Sequence, residues 1–211
     1  TFDLVVENVA PTVSVDNATL SVDEASSVSN SGSFADIGDD VVTLTSDLGV
    51  ISQDDQAGTW SWQWTPSDGP DDSATVTVTA TDSDGQSTDV TFDVTVNNVA
   101  PTVAADNATV TVSENAVATN TGTTTDPGDD ELTVTASLGT VTMDPAGTWQ
   151  WQYQAVDGPD SQTVTITVTD SDGESSQTTF DLTVNNVAPT ITVDGDNGTV
   201  TVFEAGNASN T

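Results

Sequence analysis

The chain contains no lysine, no arginine, no histidine and no cysteine. Against those absences stand 34 Asp and Glu in 211 residues, for a formal net charge of −34. No salt bridge between side chains can form within it. Self-repulsion at this density works against a compact state unless cations from solution neutralise it. Disulfides and thiolate metal sites are excluded, and cysteine usage says nothing of the redox compartment. Catalysis loses most of its instruments as well: there is no imidazole base, no thiol nucleophile, no Schiff-base lysine and no guanidinium to clamp an anion. Two-carboxylate glycoside hydrolysis needs only acids, but here the acids recur in repeated turns rather than as one unmatched pair. The expectation is therefore a protein that is not an enzyme. Nucleic acid is excluded by the charge. No stretch approaches the length that spans a bilayer, so no membrane insertion is expected in this segment. Thr1-Phe2-Asp3-Leu4 lacks the charged start and apolar run of a signal peptide.

Low hydrophobicity with high net charge is a signature of disorder. The pattern of what is present overrules it, because the apolar residues are periodic and rich in Val, Thr and Trp. One stretch organises the whole. Thr91-Phe92-Asp93-Val94-Thr95-Val96-Asn97-Asn98-Val99-Ala100-Pro101 recurs with small changes from Thr1 to Pro11 and from Thr179 to Pro189. Each copy reads as an alternating strand, an Asn-containing joint, and a Pro that opens the next strand. Pro holds the preceding residue extended and donates nothing to a ladder, so it suits a joint between sheet-built units. Pro11 and Pro101 are 90 positions apart, and Pro101 and Pro189 are 88. That spacing is a domain-sized repeat. It predicts the last strand of a preceding repeat at residues 1–9, one repeat at 10–98, a second at 99–186 and the start of an incomplete third at 187–211. The chain then reads as a window of a longer tandem array.

Within the first repeat the signals run in order. Thr12–Val15 and Thr19–Val22 read as one strand broken at Asp16-Asn17. Val28–Phe34, Val41–Ser46, a short strand ending near Gln53, Gly58–Thr65, Ala74–Thr81 and Ser87–Val96 follow. Turn residues separate them, including Asp68-Gly69-Pro70-Asp71-Asp72 and Asp82-Ser83-Asp84-Gly85. The second repeat carries the same signals. Seven short strands without helical periodicity predict an all-β fold: tandem immunoglobulin-like sandwiches joined end to end by Asn/Pro linkers.

Leu138-Gly139-Thr140-Val141, Gly147-Thr148-Trp149-Gln150-Trp151-Gln152-Tyr153, Val168-Thr169-Asp170-Ser171-Asp172-Gly173 and Val184-Asn185-Asn186-Val187-Ala188-Pro189 resemble bacterial and archaeal cadherin-like repeats, with the related VCBS-like and PKD-like repeats. The resemblance implies stalks of surface proteins and adhesins, commonly stiffened by calcium. It also implies a metal set made of a Glu after the first strand, acids in the following loops, an Asn-rich linker and Asp pairs of the next domain.

Strand parity independently distributes the acids. In an up-and-down sandwich the second–third, fourth–fifth and sixth–seventh connections share one end. In the first repeat that end carries Asp36, Asp39, Asp40, Asp54, Asp55, Asp82 and Asp84. In the second it carries Asp126, Asp129, Asp130, Asp144, Asp170 and Asp172. The opposite end of the first repeat carries Glu24, Asp47, Asp68, Asp71 and Asp72, with Glu114 as the counterpart of Glu24. Hard divalent cations take six to eight oxygens from carboxylates, amides and carbonyls. The expectation is Ca2+ at the joint, with Asn97 and Asn98 between the acids of neighbouring repeats.

Two further features have competing readings. Trp60, Trp62 and Trp64 share one strand face, which suits either a sandwich core or a strip that stacks on sugar rings. Asn17, Asn107 and Asn197 each open a glycosylation sequon at the same place in the repeat. Together these residues predict an extracellular or cell-surface spacer of a stalk, adhesin or filament. Its partners would be neighbouring repeats of the same chain and other copies in a fibre. The alternative is a repeat that binds glycan or another cell-surface ligand.

Overall fold

Alternation between Thr and an apolar residue gives each strand one wet and one dry face, and two such dry faces close on each other. In the computed structural model, which describes residues 2–38, 40–193 and 200–203, the main division of the chain falls between Val99 and Ala100. The first domain consists of β1 (Thr12–Val15), β2 (Thr19–Asp23), β3 (Val28–Ala35), β4 (Thr43–Ser46), β5 (Val50–Asp54), β6 (Thr59–Trp64), β7 (Ala74–Thr81) and β8 (Ser87–Asn97). One sheet has the order β1-β3-β6-β5 and the other β2-β8-β7-β4. All pairings are antiparallel except β2 with β8, which run parallel.

The break expected at Asp16-Asn17 is therefore more than a kink. The chain leaves one sheet after β1 and joins the other as β2, so the first strand serves both layers. Asn30, buried in β3, holds that crossing. Its Nδ2 donates to the Asn17 carbonyl at 2.9 Å, and its Oδ1 accepts the Ser31 N–H at 3.0 Å and Asn17 Nδ2 at 3.2 Å. This is an immunoglobulin-type sandwich, with a split first strand and a parallel closing pair.

The second domain repeats it with β9 (Thr102–Ala105), β10 (Thr109–Ser113), β11 (Val117–Thr125), β12 (Thr133–Ala136), β13 (Thr140–Met143), β14 (Thr148–Gln154), β15 (Asp160–Thr169) and β16 (Ser175–Asn185). The sheets are β13-β14-β11-β9 and β10-β16-β15-β12, again with one parallel pair, β10 and β16. Asn120 reproduces the crossing clamp, donating to the Asn107 carbonyl at 2.9 Å.

The tryptophans form the cores. Trp60 and Trp62 are 3% and 1% exposed, Trp149 and Trp151 0% and 1%. Trp62 meets Phe92 edge-on at 4.9 Å, and Trp151 meets Phe180 the same way at 4.8 Å. Trp62 Nε1 donates to the Leu48 carbonyl and Trp151 Nε1 to the Leu138 carbonyl, each at 2.6 Å, so the polar edge of each ring is satisfied. Trp60 lies across from Gly32 and Trp149 across from Gly122. A Cβ on Gly32 would stand 2.0 Å from the Ser14 carbonyl oxygen and 2.6 Å from the Trp60 ring, so only glycine fits under the indole.

Two stretches show how far a strand depends on its neighbours. Residues 2–11 form no strand in this chain, which does not include the preceding repeat to which the spacing assigns residues 1–9. Phe2, Leu4 and Val6 are 91%, 80% and 84% exposed, while their counterparts Phe92, Val94 and Val96 in β8 are 1–2% exposed. The same alternation is a strand only where a sheet receives it. After Pro189, β17 (Thr190–Val193) and β18 (Val200–Phe203) pair with each other in an antiparallel hairpin. Their counterparts β9 and β10 lie in opposite sheets.

Asn120→Ala removes the acceptor and donor that hold the β9–β10 crossing and leaves the Asn107 carbonyl unmet. A loss of about 1–3 kcal/mol is expected for the second domain, read as a lowered urea midpoint in tryptophan fluorescence.

Candidate metal centre

At one end of the first domain the β3–β4, β5–β6 and β7–β8 connections come together. Asp82, 5% exposed, organises the last of them. Its Oδ1 accepts the N–H groups of Asp84 at 3.0 Å and Gln86 at 2.9 Å, and its Oδ2 accepts Asn8 Nδ2 at 2.8 Å. Burial pushes the Asp82 carboxyl up. The hydrogen bonds from Asn8 and from the backbone of Gln86, Gly85 and Asp84 together outweigh it and hold the group below its ordinary 3.8. Asp40 Oδ1 accepts Ser83 Oγ at 2.7 Å, which ties the β3–β4 loop to the β7–β8 turn. Asp36 and Asp40 line one open cavity of 540 Å³ with Asp55, Gln56 and Gly58.

Asp36 is the odd member of this group. Both its carboxylate oxygens are buried, and neither has a hydrogen-bond partner among the described residues. An unpaired buried carboxylate is costly, and no cationic side chain exists in the chain to meet it. Asp84 is exposed, and Asp39 lies outside the described residues.

The opposite end of this domain is built differently. Glu24 is 1% exposed. Its Oε2 accepts the Gly69 N–H and its Oε1 the Val99 N–H, both at 2.9 Å, while its own N–H donates to the Asn97 carbonyl at 3.0 Å. Asp72 Oδ2 accepts the Ser67 and Asp68 N–H groups at 2.7 and 3.1 Å, closing its own loop. Asp47 Oδ1 accepts the Thr77 N–H at 2.9 Å. Asn97 Nδ2 donates to Asp23 Oδ1 at 3.0 Å and Ser21 Oγ at 3.1 Å. Asp68 and Asn98 are half-buried and Asp71 is exposed.

In the second domain Glu114 repeats Glu24, accepting the Gly158 N–H at 3.0 Å and the Val187 N–H at 2.9 Å. Asp170, 5% exposed, accepts the Glu174 N–H at 2.8 Å. Asp130 Oδ1 accepts Ser171 Oγ at 2.6 Å, and its buried Oδ2 has no hydrogen-bond partner among the described residues. Asp126 is half-buried, whereas Asp129 and Asp172 are exposed. Asp144 Oδ1 accepts the Ala146 and Thr148 N–H groups, both at 2.9 Å.

The candidate ligands of the first domain thus separate into two ends. Asp36, Asp40 and Asp82 gather at one, and Glu24, Asp68, Asp71, Asp72, Asn97 and Asn98 stand at the other. Sequence reading missed Asn8 as the partner of Asp82, although its recurrence as Asn98 and Asn186 was a signal for it. It also missed that Glu24 and Glu114 serve backbone amides. Of the sequon residues, Asn17 and Asn107 are exposed, but Asn17 Nδ2 and Asn107 Nδ2 donate to Asn30 and Asn120 at 3.2 and 3.0 Å. Glycosylation there would leave each Nδ2 one N–H and would have to fit the sugar beside the strand-crossing clamp. Asn197 lies outside the described residues.

With the strand order and the acid-lined ends described, the chain can be compared with known proteins. Residues 97–183 match the family model described as Bacterial Ig domain. The chain is a tandem of Ig-like repeats. No curated protein matches it. Among solved structures it is similar to titin domains Z1Z2 in complex with telethonin, at 16% identity, covering 87% of this chain and 100% of that one with a TM-score of 0.48. It is similar also to fibronectin(III)-like modules of Clostridium thermocellum CbhA, at 18% identity, 83% and 95% coverage and a TM-score of 0.33. A third is the PcdhgB3 EC1–4 fragment, at 16% identity, 85% and 50% coverage and a TM-score of 0.41. The fold assignment rests on the strand order rather than on these likenesses. Bacterial Ig domains are typical of extracellular and surface proteins, where they act as structural repeats and are typically not enzymes.

A carboxyl held below its ordinary range stabilises the fold fully above that range, and the contribution is lost as pH falls through the lowered value. Asp82→Asn should therefore be less stable than wild type at neutral pH. The gap should narrow below pH 3.8, as read by tryptophan fluorescence along an acid titration in chelator.

Proposed function

We propose that this chain is a section of an extracellular stalk, adhesin or surface filament, in which Ig-like domains act as spacers of fixed length and Ca2+ stiffens the joints between them. The observation that carries the cation is Asp36, whose two carboxylate oxygens are buried without a hydrogen-bond partner among the described residues, in a chain that has no cationic side chain. A hard cation meets such oxygens without the desolvation cost of leaving them bare. Asp40 and Asp82 stand at the same domain end, and Asn8 of the incoming joint already reaches Asp82. The residues present fit calcium: they offer carboxylate, amide and carbonyl oxygens and no nitrogen or sulfur ligand. Asp36 and Asp40, which line one cavity with Asp55, would hold the ion at the first domain, with Asp126 and Asp130 at the equivalent positions of the second repeat.

In a tandem array the joint decides whether spacers form a rod or a loose string. Bound calcium would convert a joint whose acids repel one another into one that is neutralised and short of conformational freedom. The glycan-binding alternative finds less support. Trp60, Trp62, Trp149 and Trp151 are core residues, so they do not offer the surface strip that the alternative needs.

Calorimetric titration of the chain with CaCl2 tests the reading. Saturable binding is expected, and Asp36→Asn should weaken one site at least about tenfold, the effect of losing a charged oxygen ligand worth more than about 1.4 kcal/mol. Small-angle scattering should show a longer and narrower distribution of particle lengths in calcium than in chelator. Absence of binding, or identical scattering in the two conditions, contradicts the proposal.

A further inference from the structure

Glu24 and Glu114 are deeply buried, at 1% and 6% exposure, and backbone N–H groups meet both oxygens of each carboxylate. In each domain the two carboxylate oxygens divide their work. One accepts an N–H from the loop before β7 or β15 (Gly69, Gly158), and the other accepts an N–H from the outgoing joint (Val99, Val187). The distances agree between domains to within 0.1 Å. The backbone completes the ring. Glu24 N–H donates to the Asn97 carbonyl at 3.0 Å and Glu114 N–H to the Asn185 carbonyl at 2.9 Å. The next residue, Ala25 or Asn115, has φ of 54° or 62° and donates back to the loop at Pro66 or Ala155. Gly69 and Gly158 lie flat on the joint. A Cβ there would stand 2.6 Å from the Asn97 carbonyl carbon and 2.7 Å from that of Asn185.

We infer that Glu24 and Glu114 are joint-positioning residues: each buried carboxylate pins the outgoing Asn-Asn-Val segment to its own domain, independently of metal. A carboxylate is suited to this because it offers two acceptors and no donor, so it can face two amide N–H groups at once. The direction in which the chain leaves each domain is then set before any cation arrives. Calcium, in the reading above, acts on a joint whose first three residues are already fixed. Stiffness has two sources, one built into the domain and one supplied by solution.

Amide hydrogen exchange by NMR on the whole chain separates them. In chelator and sodium chloride, the Val99 and Val187 amides of the wild type are expected to be protected relative to amides of exposed, strand-free residues such as Leu4. Glu24→Gln keeps the shape but turns an amide NH2 toward one of the two N–H donors. Val99 exchange should rise at least about tenfold, while the core amide of Val78 and the Val187 amide stay as in wild type. Glu24→Asp keeps the charge but is one methylene shorter, and it should release Val99 in the same way. Unchanged Val99 exchange in both variants overturns the inference. So does a wild-type Val99 amide that is protected only after calcium is added, a result that would leave the calcium reading standing. Conversely, protection in chelator that calcium does not alter supports the pin and counts against the metal.

Discussion

A carboxylate in this chain never meets a cationic side chain, because there is none. Every buried acid must find N–H or O–H donors, or take its counter-charge from solution. The domains use the first solution almost everywhere. Asp82 draws on two turn amides and an asparagine of the joint, Asp72 and Asp144 close their own loops, and Glu24 and Glu114 gather amides from loop and joint. The unmet oxygens of Asp36 and Asp130 stand out against that background. They are at the domain end that receives the incoming joint, which is where an external cation would do most to restrain the array.

The two domains also show which of these solutions belong to the repeat and which to one copy. The Glu pin, the Asn clamp at the strand crossing and the glycine beneath the first core tryptophan recur with near-identical geometry. Gln53 does not recur. It reaches from the first sheet to the edge strand β4, accepting the Leu44 N–H at 2.8 Å and donating to the Val42 carbonyl at 2.9 Å. Gln53 pairs with Trp60 across the sheet, and the residue that pairs with Trp149 in the second domain is Met143. The recurring contacts bear on how the chain enters and leaves a domain, whereas this one only ties an edge.

Much of the fold was legible because alternation, turn residues and a domain-sized period act locally. The break at Asp16-Asn17 was visible as a turn, yet the change of sheet was not, since it depends on Asn30 thirteen residues away. The tryptophan strip admitted two readings until the opposing Phe92 and Phe180 closed over it. The acids were legible as clusters by parity but not by role. A glutamate that accepts backbone amides and one that ligates a metal have the same sequence signal, and only burial and donor positions separate them. The Asn17 and Asn107 sequons carried a similar ambiguity, because Asp-Asn serves a turn as readily as a modification site. The starting stretch has the alternation of β8, but a strand needs a sheet edge to receive it.

In the reading proposed above, the charge of −34 is met in part by specifically held calcium rather than by a diffuse ion cloud alone. Thermal unfolding of the chain in calcium and in sodium at matched ionic strength tests it most directly. Site-bound calcium predicts a saturable rise in stability, reaching ~2.7 kcal/mol once the free ion is a hundredfold above its dissociation constant. Equal stability in the two salts at equal ionic strength would contradict the account.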